Sequence, residues 1–340
     1  MYHIIINPAS SSGKGLEVWE RIKTILDNKN VAYEPYIMEA PGEATILTKE
    51  LTAMRQDNDM LQDKCVCEIK LESYQDEAAA TELDTPTGDD THLLVIGGDG
   101  TLNEVLNGIE DFEHTKLSCI QNGSGNDFAR NLNLEKDIEK AIEHILNNPE
   151  EIALDYGEVT TDYNGGSRRK RFLISCGVGY DADICEEVSR SRLKKLLNKV
   201  HLGKLVYVII GVKQIFTKKT VRAKLYLDDG EMIKLPKLFF VVGMNHMYEG
   251  GGVPFCPNAD PTDGMLDVCL VKGMSKLKLL LAVVMVYFKK HLLFKDITNL
   301  RCRKMRLVTE VPQWIHMDGE ASYQVKQVVW ESKGKIRFVR

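Results

Sequence analysis

No stretch of this 340-residue chain approaches the roughly 18–20 consecutive apolar residues that a membrane-spanning helix needs; the longest candidate, LLLAVVMVYF, has ten. Paired cysteines are also missing. The eight cysteines are scattered, none forms a CxxC motif, and only Cys65 and Cys67 are close together. That excludes a disulfide scaffold, argues against a zinc site and leads us to expect reduced thiols in a cytoplasm. Aromatics are scarce at 7%, and with no recognisable binding motif this argues against a nucleic-acid partner. The opening MYHIIINPAS has neither the basic nor the apolar region of a signal peptide. What remains is ordinary globular usage, 44% hydrophobic and 27% charged, which excludes collagen-like and fully disordered chains. The length predicts two domains or one large one.

The formal net charge is only −5, but it is segregated: residues 1–150 hold 12 basic and 29 acidic side chains, residues 151–340 hold 32 and 20. Much of the acidity lies in residues 55–90, with 3 basic and 11 acidic residues. Such a stretch has little to bury and reads as a solvated excursion. The basic half has clusters at 168–171, 190–199 and 301–306. It suits either a solvated face or an anionic partner.

Along the first 150 residues, short apolar runs at 3–7, 33–38, 93–96 and 117–121 alternate with helical spacing at 15–28, 43–54, 101–109 and from 126 onward. Three of these strands end in a polar, glycine-containing turn. The alternation predicts a doubly wound parallel sheet, whose ligands sit beyond the carboxyl ends of the strands. From about residue 154 the pattern changes to period-two strands at 154–160, 170–176, 221–228, 231–243, 265–271, 298–309 and 313–317, with a hairpin signal at Asp228-Asp229-Gly230. This predicts a mostly antiparallel β domain with inserted helices at 181–199, 202–216 and 274–293. The last reads either as a buried core helix or as one that touches a membrane.

Gly97-Gly98-Asp99-Gly100-Thr101 follows a buried strand and opens a helix. Glycines let a ligand approach the backbone, and the helix N-terminus offers unpaired N–H groups to phosphate. Asp99 there can orient a metal or ribose, or accept a proton; the plain alternative is a tight turn with an Asp cap. Asn122-Gly123-Ser124-Gly125-Asn126-Asp127 repeats the pattern after the next strand, and residues 7–15, NPASSSGKG, do so after the first. Three such loops on one sheet edge predict a phosphate cradle. The first loop is not a Walker A motif, because Pro8 and Gly15 stand where glycine and Ser/Thr belong.

VIGGDGTLNEVLNG, NGSGNDFARNL and the opening IINP together resemble the diacylglycerol kinase catalytic-domain superfamily, which includes bacterial lipid kinases and sphingosine and ceramide kinases. Gly243-Met244-Asn245, Gly250-Gly251-Gly252, CPNADPTDGMLDV and MDGE follow in family order. The resemblance implies an N-terminal Rossmann-like three-layer domain of the NAD-kinase/diacylglycerol-kinase type. It spans residues 1–150, with the acidic excursion, and is rejoined by 325–340. The resemblance also implies a C-terminal antiparallel β-sandwich with inserted helices, at 151–324, that binds lipid. The implied activity is ATP-dependent phosphorylation of a lipid hydroxyl, with diacylglycerol as the leading acceptor and sphingoid bases or ceramide as alternatives.

Carried over by position, ATP binding falls to Asn7, Pro8, Ser12 and Gly13; to Gly97, Gly98, Asp99, Gly100, Thr101, Asn103 and Glu104; and to Ser124, Gly125, Asn126 and Asp127. A structural magnesium would take Asp260, Asp263 and the carbonyl of Met265; oxygen ligands suit a hard cation, whereas without the resemblance Asp263-Gly264 reads as a hairpin turn. Glu320 is the expected proton acceptor, Asp99 orders the phosphates through Mg2+, and Asp318 could exchange roles with Glu320. The basic half would then meet an anionic membrane that holds the substrate. A homodimer stays open, as do two other classes: an NAD-kinase-like enzyme and a non-catalytic nucleotide- or lipid-binding module.

Overall fold

The computed structural model describes residues 1–53, 90–123, 125–163, 166–191, 203–228, 230 and 232–340; most of the acidic excursion lies outside the described residues. β1 (Tyr2–Ile6), α1 (Ser10–Gly13), α2 (Gly15–Asn28), β2 (Tyr33–Ile37), α3 (Glu43–Ala53), β3 (Thr91–Gly97), α4 (Asp99–Gly108), β4 (Thr115–Gln121), α5 (Asp127–Leu132) and α6 (Ile138–Asn147) form the first part. Its strands are parallel, in the order β2-β1-β3-β4. The apolar runs of β1 and β3 are continuous because both faces are covered. Ile4 and Ile6 pack with Trp19, Ile22 and Leu26 of α2 and Ile142 of α6. Ile5, between them, packs on the other face with Leu47 of α3 and Leu102 and Val105 of α4.

The remainder comprises β5 (Glu151–Tyr163), β6 (Gly166–Phe172), β7 (Ser175–Gly179), α7 (Tyr180–Arg190), α8 (Gly203–Thr217), β8 (Val221–Leu227), β9 (Ile233–Met244), β10 (Tyr248–Glu249), β11 (Val253–Pro254), β12 (Leu266–Lys272), α9 (Lys276–Tyr287), β13 (Ile297–Cys302), β14 (Lys304–Met317) and β15 (Glu320–Val339). β7 and β8 each pair with both β9 and β14, around an apolar core that includes Leu225, Val241, Met305 and Trp330. β15 pairs antiparallel with β14 and β5, then parallel with β4 through Arg337 and Phe338. One strand therefore runs from the antiparallel half into the parallel one.

Two expected strands are broken, and each break has a local cause. The run at 170–176 divides at Leu173-Ile174, where the backbone turns its N–H groups onto the Asp318 carboxylate. The run at 298–309 divides at Arg303, where Arg303 N and Lys304 N donate to Asp228 Oδ1 at 2.9 Å. The hairpin between β8 and β9 forms as expected, with Asp228 at φ 49°. The helix expected at 181–199 is described to Arg190 only, because residues 192–202 lie outside the described set.

Candidate active site

The three glycine loops meet at the carboxyl ends of β1, β3 and β4. Asn7 Nδ2 donates to Thr101 Oγ1 at 2.9 Å, Asn122 Nδ2 to Ser10 Oγ at 3.3 Å, and Asn122 N to Gly97 O at 2.8 Å. Gly98 and Gly123 are in backbone contact: a Cβ added to Gly123 would stand 2.7 Å from Gly98 Cα. Gly98 caps α4, whose first N–H groups have no intrahelical partner. Pro8 stands two residues before α1, and Gly13, its last residue, has φ 95°. The side chain of Ser12 and the whole of Ser124 lie outside the described residues.

Asp99 caps α5, not its own helix. Its Oδ1 accepts from Gln121 Nε2 at 2.9 Å and Phe128 N at 3.2 Å, and its Oδ2 from Asp127 N at 3.0 Å. A carboxylate has about four acceptor positions, so Oδ2 keeps one beside Gly125. Asn126, at φ 53°, folds its Oδ1 back onto Gly123 N at 2.8 Å. Asp127 pairs with Arg130 and accepts from Gly251 N at 2.7 Å, which fastens α5 to the Gly250–Gly252 turn.

Glu320 reaches this assembly from the other half of the molecule. It is exposed, and its Oε1 lies 2.6 Å from where a Cβ on Gly100 would be. Glu104 stands near it: burial raises the Glu104 carboxyl, the Gly42 N–H at 2.9 Å opposes that, and the charge of Glu320 adds to it.

Asp318 does not resemble its neighbour. Its Oδ2 accepts from Asn103 Nδ2 at 2.7 Å and Leu173 N at 2.9 Å, and its Oδ1 from Ile174 N at 2.8 Å and Ser175 N at 3.0 Å. Burial pushes this carboxyl up and the four donors push it back. With every acceptor position facing an N–H, the Asp318 carboxylate is committed to the fold. Asn103 is committed as well, since its amide also donates to Arg171 O at 3.0 Å; it ties α4 to the Asp318 turn and has no donor left for a nucleotide. Asp318→Asn turns a donor toward other donors. It should destabilise the fold by on the order of 3 kcal/mol, read as the urea midpoint; an unchanged midpoint would contradict this assignment.

Sequence reasoning missed the group behind this turn. His316, fully buried, has Nε2 3.0 Å from Asp181 Oδ2 and 3.1 Å from Glu249 Oε1. His316 lies two residues before Asp318, next to the Asp-Gly-Glu turn, which was the one available signal. Burial alone would lower the imidazole; the two carboxylates outweigh it and raise it to about 9, while burial raises Glu249 to about 7. Gly319 N lies 3.3 Å from His316 Nδ1, a contact that suits the neutral ring. It is long for a hydrogen bond, and the two shorter carboxylate contacts favour the imidazolium. These donor atoms are close enough to share a cation; without one, a protonated imidazole supplies the positive charge between the two carboxylates.

The sign of the pH dependence follows. A raised imidazole stabilises fully below its ordinary 6.5, and the gain is lost as pH climbs through about 9. The raised Glu249 carboxyl costs stability as pH rises from 4.5 to about 7. The melting temperature should therefore fall from pH 6.5 to 9, and this fall should flatten in His316→Gln. Parallel profiles for the two proteins would refute it.

The residues expected to hold magnesium do not form an open set. Asp263 is paired with Arg301, and its Oδ1 accepts from Met265 N at 2.9 Å. Asp260 Oδ1 accepts from Thr262 N at 2.9 Å and Thr262 Oγ1 at 2.7 Å. A hard cation needs several free oxygens; here the charge of Asp263 is already met by a guanidinium. These residues do not fit a resident ion as they stand.

Two family models match in sequence order: the diacylglycerol kinase catalytic domain over residues 53–159 and the YegS C-terminal NAD kinase beta sandwich-like domain over residues 174–334. A Bacillus subtilis protein named "Putative lipid kinase YtlR" is 26% identical over 94% of this chain and 93% of its own. A "Diacylglycerol kinase" of Staphylococcus epidermidis is 27% identical over 74% and 78%. The fold is shared with a crystal structure from Bacillus anthracis described as "a putative diacylglycerol kinase", with TM-score 0.69 and 21% identity over 99% of this chain and 94% of that one. Among the described residues no helix is long and apolar enough to cross a membrane.

Proposed function

From the premise that this chain belongs to the diacylglycerol kinase catalytic-domain superfamily, we propose that it is a lipid kinase that transfers the γ-phosphate of ATP to a lipid hydroxyl, with diacylglycerol, giving phosphatidic acid, as the leading acceptor. The observation that carries this reading is the meeting of three glycine loops, with the Glu320 carboxylate from the other half set against Gly100. We read residues 1–150, rejoined by 325–340, as a Rossmann-like nucleotide domain and residues 151–324 as the lipid-binding one.

Phosphoryl transfer asks mainly for positioning and charge neutralisation. The N-terminus of α4 and the Gly98–Gly123 contact offer backbone N–H groups and a close approach for the phosphates. Mg2+ bound with ATP would neutralise phosphate charge, and the spare position on Asp99 Oδ2 is the oxygen on this chain suited to it. Glu320 takes the proton of the lipid hydroxyl. The hydroxyl oxygen bonds the γ-phosphorus, the bond to the bridging oxygen breaks, and ADP leaves. Asp318 and Asn103 hold the turn that aims Glu320. Incubation with γ-labelled ATP and a total lipid extract, followed by mass spectrometry of the labelled lipids, tests the reading. Labelled phosphatidic acid is the expected product. No labelled lipid of any class would refute it.

A further inference from the structure

α8 and α9 pack against one another, yet both helices, and the turn after α9, expose several large apolar side chains. Leu277 is 78% exposed, Phe288 67% and Leu293 75%; on α8, Val208 is 55% exposed, Ile209 51% and Phe216 58%. Only Leu279, Ala282 and Val286 of α9 are buried. Single exposed apolar residues are normal, but a continuous patch over two helices marks an interaction surface. On the α9 side its border carries one sign of charge. Residues 274–295 contain five lysines and no acid, and Lys278, Lys289, Lys290 and Lys295 are exposed.

We propose that this two-helix face is the surface by which the protein sits on an anionic phospholipid bilayer, apolar side chains in the acyl boundary and lysines among the headgroups. The inference rests on the lipid-kinase reading and deepens it. Charge selects the occupant. An amphipathic surface with a lysine rim matches an anionic interface, whereas two copies of it would oppose like charges, and lysine is depleted from protein–protein interfaces.

The face also adjoins the candidate active site. Lys289 lies over the Tyr248 ring at 5.8 Å, and Tyr248 N donates to Asn131 of α5 at 2.9 Å. α9 packs on β11, just past the glycine turn whose Gly251 N holds Asp127. Tyr207 of α8 is close enough to Asp127 to feel its charge. A lipid drawn from the bilayer at this face lies close to α5 and the third glycine loop.

The test compares wild type with Leu277→Asp/Phe288→Asp/Leu293→Asp. Each is measured for co-sedimentation with phosphatidylglycerol/phosphatidylcholine vesicles, for transfer to diacylglycerol in those vesicles, and for transfer to dispersed dioctanoylglycerol. The variant should lose vesicle binding and vesicle activity by about tenfold or more and keep its activity on the dispersed substrate. Lys278→Glu/Lys289→Glu/Lys290→Glu should lose binding selectively on anionic vesicles. Vesicle binding unchanged in both variants would overturn the proposal, as would a wild-type dimer that the apolar variant dissociates without losing vesicle binding. If wild type phosphorylates neither substrate, the lipid-kinase reading fails, while the sedimentation result still judges the surface.

Discussion

Glu320→Gln is expected to lower phosphate transfer from ATP to lipid by about 10²–10⁴-fold, the usual contribution of a positioned general base, with ATP affinity nearly unchanged. Glutamine keeps the shape of the side chain and its contact with Gly100 but cannot take a proton. The expected signature is a fall in kcat with little change in KM for ATP, because the nucleotide is held by loops from the other half. Steady-state kinetics with labelled ATP reads both. Turnover at the wild-type rate would remove Glu320 from the role, and an equal loss in Glu320→Gln and Asp318→Asn with no difference in stability would undo the separation of the two acids.

Gly123→Ala is the second large effect. The new Cβ would meet Gly98 Cα at 2.7 Å and Asn126 Oδ1 at 2.8 Å. The first is backbone, which cannot rotate away, so the second and third loops must part. Displacement of a binding loop by about 1 Å costs on the order of 10²-fold in rate. Here it should appear in kcat/KM for ATP, with the melting temperature much less affected, since the contact lies at the surface edge of β3 and β4. Wild-type kinetics in this variant would show that the loops do not act together.

Much of this site was legible because its chemistry demands particular residues at strand ends. A glycine pair before a helix and an Asn-Gly turn, repeated at successive strand ends, let the three loops be named together as a cradle, while Glu320 is named through the resemblance of its Asp-Gly-Glu turn. What the letters could not give was direction. Asp318 and Glu320 are both acids around one glycine; only the break between β6 and β7, which turns three N–H groups onto Asp318, separates a buried, fully bonded acid from an exposed one. Asn103 sits one helical turn beyond Asp99 and looks like part of the phosphate loop, yet it points to the other half. Asp99 in a helix-opening motif suggests a cap for its own helix, whereas it caps the next one.

The helices show the other limit. An unbroken LLLAVVMVYF run gives no preferred face, so periodicity alone left burial and membrane contact open for α9. The structure gives it one narrow buried stripe. The buried Asp181–Glu249–His316 group was invisible for a different reason: its members come from three separate segments and match no motif, and only packing brings them together.

The account stands on one geometric statement, that a triphosphate lies between the three loops with its γ-phosphate toward Glu320. A crystal structure of the protein with a non-hydrolysable ATP analogue and Mg2+ tests it most directly. The prediction is phosphate oxygens on the backbone N–H groups of Gly98–Thr101 and Gly123, with the γ-phosphate facing Glu320 across a gap that one hydroxyl group would fill. A triphosphate bound away from these loops, or a γ-phosphate directed away from Glu320, would contradict the account.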